Sequence, residues 1–307
     1  PSKQKNSIPI IDDLSCLFIQ AVKSNINNDS KMGLALSGGV DSSAIASLLK
    51  DSSETKFYSV IPPQSQNESK AIDLTVKLWG LDHQYVDCEE VENTETIDYL
   101  IDKLDQPFKA AQTIYQYAIR KQASLDGVKY FLSGSGADEV FGGYTNCIVP
   151  HLCRFFRNRE VKNLIKKAKE LEEFSGKSFI ELLRNTSKQL LKPNYKQKSP
   201  TGRQELGEIF SNNIKYRYIN KPLDLRTHLL NRLLISSMPF ACRVEDGISR
   251  CFAIESRFPF LNHFLIDYAF SHDESYCFQN GKNKALLRDA LDKLLPEHVR
   301  NLTTKFQ

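Results

Sequence analysis

The sequence predicts an α/β protein: a doubly wound parallel sheet with additional C-terminal helices. Three observations predict it. Strand-like apolar runs occur at residues 32–36, 57–61, 83–86 and 128–132. Helical patterns separate these runs, the alternation expected of parallel strands joined by crossover helices. The first run leads directly into Ser37-Gly38-Gly39-Val40-Asp41-Ser42-Ser43, which reads strand, glycine turn, helix.

In chain order, Leu14, Leu17, Phe18, Ala21 and Val22 fall at spacings of three and four, the stripe of an amphipathic helix. A second such pattern, Ala71, Leu74, Thr75 and Leu78, is closed by Gly80. Its Trp79 reads as a core residue. A third, Ile97, Leu100, Ile101 and Leu104, runs out before Pro107. After about Tyr144 strand signals vanish, and residues 147–190 and 225–300 read mostly helical. Residues 188–205 have the Lys, Gln, Asn, Ser, Pro and Gly content of a surface loop. The basic-then-acidic run at 162–173 reads as a solvated helix face. The expected division is a sheet core over 1–145 and a mostly helical region over 146–307.

The glycine turn carries the first chemistry. Gly38 and Gly39 let the backbone approach an anion, and the N–H groups of the turn converge with a helix N-terminus on one phosphate. Ser42 and Ser43 add hydroxyls, and the absent lysine excludes a Walker A loop. The fourth strand ends in a second glycine-rich segment: Ser133-Gly134-Ser135-Gly136-Ala137-Asp138-Glu139-Val140-Phe141-Gly142-Gly143-Tyr144. In a doubly wound sheet both loops share the carboxyl edge where ligands bind. Asp41 and Asp138 would then converge beside a pyrophosphate, where two carboxylates repel unless a cation neutralises them. A Mg²⁺ ion held by Asp41 and Asp138 is expected.

Composition limits the alternatives. The 307 residues include 41 Lys and Arg against 37 Asp and Glu, too balanced to argue for nucleic acid. No apolar run approaches a membrane span, and the start does not resemble a signal peptide. Seven cysteines without a C-x-x-C pair argue against zinc and for reduced thiols, so a cytoplasmic location is expected.

Jointly, SGGVDSS and LSGSGADEVFGGY resemble the synthetase domain of glutamine-dependent asparagine synthetases, within the PP-loop ATP pyrophosphatases (an adenine nucleotide α-hydrolase-like fold). The resemblance continues in order through Glu68-Ser69, Asp105-Gln106-Pro107, Arg243-Val244-Glu245-Asp246, and Glu255 to His263. It closes with Lys284-Ala285-Leu286-Leu287-Arg288 ahead of Leu295-Pro296.

The resemblance implies ATP and Mg²⁺ as cofactors and a two-step reaction. A small-molecule or peptide carboxylate is adenylated with loss of pyrophosphate, and ammonia or an amine then displaces AMP. By the same resemblance Leu36 to Ser43 and Ser133 to Gly136 hold the nucleotide, with adenine near Val60 and Ile61. Lys284 matches the family's lysine that offsets the developing oxyanion. Asp138 and Glu139 belong to the catalytic set, and Lys305 matches a second basic position. Glu255, Arg257 and Pro259 are expected to form a salt-bridged turn, His263 to pack or cap, and Tyr144 to anchor its loop.

The chain also departs from the family. Ser135 stands where the family usually carries glutamate, Asn262 where it carries aspartate, and Thr303 where arginine is common. A serine is no carboxylate base near neutral pH, so the substrate's identity stays open. Residue 1 is proline, so the family's N-terminal glutaminase cysteine has no counterpart here. The nitrogen is expected from ammonia, from an amine, or from a glutaminase domain or subunit outside this chain. A cyclising relative, like β-lactam synthetases or lasso-peptide cyclases, is the alternative. tRNA thiolation lacks its paired cysteines, and a non-catalytic scaffold would have lost the phosphate loop, Asp138 or Lys284.

Overall fold

The computed structural model describes residues 7–27, 29–60, 66–108, 111–191 and 224–302. Its centre is a five-stranded sheet of β1 (Met32–Ala35), β2 (Thr55–Ser59), β3 (His83–Tyr85), β4 (Tyr130–Leu132) and β5 (Glu255–Arg257), ordered β3-β2-β1-β4-β5. Every pairing is parallel, and Leu34 lies opposite Phe57 on one side and Leu132 on the other. β1 is covered on both faces: Met32 and Leu34 are buried on one, and Gly33 packs against the Phe131 ring on the other. The strand order reverses at β1, with β2 to one side and β4 to the other. This is the switch point at which open α/β sheets place their ligands.

β5 corrects the sequence reading, which found no strand after residue 144 and a turn at 255–259. The salt bridge is present, with Arg257 Nε 2.8 Å from Glu255 Oε1. The segment is nevertheless an edge strand, held by backbone pairing to β4 and by Ser133 N–H donating to Arg257 O at 2.9 Å. Its polar side chains carry no hydrophobic period, so pattern alone misses it. The Arg257 guanidinium lies 3.9 Å from the centre of the Tyr130 ring.

The first helix follows its predicted stripe, but the second does not: Leu74 and Leu78 are exposed, and Ala71, Ile72 and Thr75 form its buried face. α1 (Ser7–Lys23) buries Leu14, Phe18, Ala21 and Val22 in the main core, against the helices His263–Ser271 and Ala285–Ala290. α2 (Val40–Leu49) is the helix behind the first glycine turn. α3 (Gln66–Trp79) ends where Gly80 turns left-handed at φ 61°, and Trp79 is half-buried rather than core. α4 (Thr94–Leu104) starts on an Asn93 side-chain cap. It ends at left-handed Asp105, two residues before Pro107. α5 (Ala111–Leu125) precedes β4, and the short α6 (Ala137–Phe141) follows it.

A second core, containing Cys147, Leu152, Phe155, Leu164, Leu182, Leu229 and Phe278, begins just beyond the proposed division at 145/146. The main core also draws Leu286, Leu287 and Val299 from the C-terminal part. In the run at 162–173 only Leu164, Ala168 and Leu171 are buried, as a solvated helix face requires. Of the expected surface loop, residues 188–191 instead close the helix Phe179–Leu191, and 192–205 lie outside the described residues. A long helical segment runs from Leu225–Asn231 through a π-helical turn, Arg232–Ser236, into Ser237–Arg250. Asn262, not His263, caps the helix His263–Ser271, its Oδ1 accepting from Phe264 and Leu265 N–H, while His263 is exposed. Asn is as good an N-cap as Asp.

Candidate active site

The first glycine turn is drawn tight by its serines. Gly38 adopts φ 69°, a conformation a side chain would strain. Ser37 N–H donates to Ser42 Oγ at 3.1 Å, and the two hydroxyls lie 3.0 Å apart. Ser37 stays exposed while Gly39 and Asp41 are half-buried, so the open face of the turn presents Ser37, Gly39 and Asp41 at the N-terminus of α2. Leu36, Gly38, Val40, Ser42 and Ser43 are buried behind them. Ser43 Oγ has no hydrogen-bond partner among the described residues and is fully covered. The backbone Leu36 N–H donates to Tyr58 O at 2.7 Å, and Leu36 O accepts from Ser59 Oγ at 2.5 Å. Val60 continues β2 on that side and is half-buried; Ile61 lies outside the described residues.

The second loop packs directly on the first. A Cβ on Gly134 would stand 3.1 Å from Asp41 Cβ and 3.4 Å from Ser42 N, so a side chain there would push the two loops a few tenths of an ångström apart. Gly136 turns at φ 100° against Leu261 to start α6, which carries Asp138 and Glu139. Both carboxylates are buried, at 7% and 1% exposure, a costly position without cations.

The cations come from the far end of the sequence. Lys284 Nζ sits 2.6 and 2.5 Å from the two carboxylate oxygens of Asp41 and 2.6 Å from Asp138 Oδ1. Lys284 is itself only 3% exposed, contrary to the helix-surface position that a lysine at a helix start suggests. Burial alone would lower its pKa, but Asp138 and Asp41 outweigh that and hold it raised. Gly143 makes the arrangement possible, because a Cβ there would overlap Asp138 Oδ1 and Lys284 Cε. Glu139 points to the other side, 3.6 Å from Arg232 on the π-helical turn. Arg232 lies 4.0 Å over the Tyr144 ring, so Tyr144 anchors its loop as expected.

Ser135 connects to a buried polar chain. Its hydroxyl accepts from Ser133 Oγ at 3.0 Å and donates to Glu245 Oε1. Glu245 in turn lies 3.8 Å from Arg120, with both side chains at 5% exposure or less. Arg120 Nε donates to Ser249 Oγ at 3.0 Å, and its guanidinium covers the Phe131 ring at 3.5 Å.

The structure thus brings Ser37 to Ser43, Ser133 to Gly136, Asp138 and Lys284 to one sheet edge, turns Glu139 away, and leaves Lys305 among the undescribed residues. Sequence reading missed Arg120, Arg232, Asn283 and Gly143 as site residues. Gly143 alone carried a visible signal, as part of the second glycine-rich segment.

Asp41 and Asp138 fit a magnesium ion in one respect: they already converge on a single cation. No cluster of three or more His, Cys, Asp or Glu forms a metal site among the described residues. Phosphate oxygens and water would complete the ligand set, as Mg²⁺ prefers. No helix among the described residues is long and apolar enough to cross a membrane. All seven cysteines are free thiols.

A family model for asparagine synthase matches residues 13–307. Asparagine synthetase [glutamine-hydrolyzing] 1 of Bacillus subtilis is 27% identical over 95% of this chain and 48% of its own length. A putative asparagine synthetase of Mycobacterium tuberculosis is 24% identical over 97% of the chain and 48% of its own length. Putative asparagine synthetase [glutamine-hydrolyzing] 1 of Methanocaldococcus jannaschii is 36% identical over 40% of the chain and 23% of its own length. The chain spans about half the length of the first two of these and about a quarter of the third.

Proposed function

This chain belongs to the asparagine synthase family, and we propose on that footing that it is the synthetase part of an ATP-dependent, amide-forming ligase. A substrate carboxylate oxygen attacks the α-phosphorus of ATP, the bond to the β-phosphate breaks, and pyrophosphate leaves. Ammonia or an amine then attacks the acyl carbonyl, the bond to AMP breaks, and the amide nitrogen gives up its extra proton. The observation that carries this reading is the ammonium of Lys284 between Asp41 of one loop and Asp138 of the other.

Each residue has a part. The N–H groups of the 37–43 turn receive the charge that develops on the departing pyrophosphate, helped by the α2 N-terminus. Adenine rests against the β2 end, near Leu36, Val60 and Ile61. Asp41 and Asp138 would hold Mg²⁺, which supplies charge stabilisation on phosphate oxygens. Lys284 faces the negative charge of the acyl transfer. Glu139 holds α6 against Arg232. Ser135 passes the nitrogen's proton towards Glu245, since a carboxylate can take a proton that a serine cannot keep.

The carboxylate is a small molecule or a peptide. The nitrogen comes as ammonia, free or from a glutaminase domain or subunit outside this chain, or as an amine. Asparagine biosynthesis in the cytoplasm is the setting that the relatives' names and the free thiols favour.

A second reading, intramolecular amide formation, draws on Ser135, a hydroxyl backed by the Glu245 carboxylate where the family usually carries glutamate. Product analysis tests the adenylation step. Incubation with ATP, Mg²⁺, ammonia and a panel of aspartate, sugar acids and peptides should yield AMP and pyrophosphate. Formation of ADP and phosphate instead would refute it.

A further inference from the structure

Lys284 is held in place by a clamp that none of the assigned roles explains. Its backbone is left-handed, at φ 50° and ψ 35°, at the start of the helix Ala285–Ala290. A lysine rarely adopts that conformation unless its surroundings impose it. The preceding residue, Asn283, is 4% exposed and donates Nδ2–H to Gly143 O at 2.8 Å. One turn later Arg288, 6% exposed, grips Asn283 twice. Its Nε donates to Asn283 O at 2.8 Å and its Nη2 to Asn283 Oδ1 at 3.0 Å.

The third nitrogen of the same fork, Nη1, donates to Val299 O at 3.2 Å and Arg300 O at 2.9 Å. Burial lowers the Arg288 pKa to about 10, with Asp41 and Asp289 acting against the loss. The guanidinium therefore stays charged at neutral pH, with its fork spent on backbone and amide oxygens.

We propose that Asn283 and Arg288 are positioning residues, which lock the turn before Lys284 to Gly143 and so set the ammonium between Asp41 and Asp138. Asn283 sits where the two halves of the site meet. Gly143 closes the turn that follows Asp138, and its N–H donates to Asp138 O at 3.0 Å. One amide thus fixes the lysine loop relative to the carboxylate it pairs with. A lysine at 288 keeps the charge but has no planar fork to hold two oxygens of one residue, so the arginine is not replaceable here. The role in turnover rests on the adenylation reading; the structural linkage does not.

The test uses the full chain labelled with ¹⁵N-lysine. A buried, ion-paired ammonium exchanges slowly and gives a resolved NMR signal, assigned by its loss in Lys284→Met. Asn283→Ala and Arg288→Lys should each shift or broaden that signal while the melting temperature stays within a few degrees. Lys282→Met is the control, since Lys282 lies in the same loop but donates to Asn301 Oδ1. It should leave the signal unchanged. Absence of a protected ammonium in the wild type, or an unmoved signal in a folded Asn283→Ala, overturns the proposal. Asn283→Ser serves the same purpose if Arg288→Lys fails to fold.

In amide formation from ammonia and a carboxylate that supports pyrophosphate exchange, Asn283→Ala should lower turnover tenfold or more with KM for ATP within about threefold. It should cost nothing further in a Lys284→Met background, because positioning acts through the lysine. Additive losses would mark a merely structural role. Full amide-forming activity in Lys284→Met would refute the function assigned to the lysine and leave the NMR result to judge the clamp.

Discussion

Gly143→Ala puts the packing of the site to the proof with one methyl group. The added carbon would overlap Asp138 Oδ1 and Lys284 Cε. Neither group has room to retreat, at 7% and 3% exposure. Forcing a methyl into a packed interior costs about 1–3 kcal/mol. Parting a buried, hydrogen-bonded ion pair costs about 3–5 kcal/mol where relaxation is poor. Partial relaxation makes the two overlap rather than add, so a loss of about 3 kcal/mol is expected. Gly80→Ala is the control. Gly80 is left-handed, at φ 61°, and a Cβ there meets nothing within 4 Å. It should cost only the backbone strain, about 1–2 kcal/mol. Urea unfolding at constant slope reads both variants, and Mg²⁺-ATP binding by calorimetry should be lost in Gly143→Ala alone. A Gly143→Ala protein within about 0.5 kcal/mol of wild type that binds nucleotide normally would refute the geometry described here.

Other outcomes follow from the same structure. Lys284→Met should slow product formation by about 3–4 kcal/mol of barrier, several hundredfold, in single-turnover assays. Arg120→Met should destabilise by about 3–5 kcal/mol in denaturant titrations because it strands Glu245, and Glu245→Gln should recover part of that loss. Acid should weaken the fold through two histidines. Burial lowers His151 to about 3 and His228 to about 4. The unfolded chain protonates both near 6.5. Between those values the unfolded state binds more protons, so stability is complete above about pH 6.5 and falls as pH drops towards 4 and 3. His151, whose ring nitrogens lack hydrogen-bond partners among the described residues, contributes about 1.4 kcal/mol per pH unit in that window. Urea midpoints at pH 7 and pH 5 should separate in the wild type and approach each other in His151→Phe.

The sheet was largely legible in the sequence because burial on both faces leaves a readable trace. Met32, Leu34 and Phe57 are each at most 1% exposed, and their apolar runs marked β1 and β2 to within about two residues at each end. β5 left no trace, since Glu255, Ser256 and Arg257 join the sheet through their backbones. The two glycine loops were legible for a similar reason, as glycine marks places where chains come close. Lys284 was found only through its resemblance to a family, since a lysine at a helix start normally lies in water. Its burial depends on Asp41, 243 residues away, and local patterns hold nothing of such a pair. Arg120, Arg232 and Asn283 were illegible for the same reason, each being defined by a partner from a distant element.

The central claim is that one edge of this sheet activates a carboxylate with ATP. Carboxylate-dependent exchange of labelled pyrophosphate into ATP measures that step alone, without the nitrogen donor. Exchange is expected with at least one member of a panel of aspartate, sugar acids and peptides, requiring Mg²⁺ and abolished in Asp138→Asn. No exchange with any carboxylate, together with no binding of Mg²⁺-ATP by the folded protein, would contradict it.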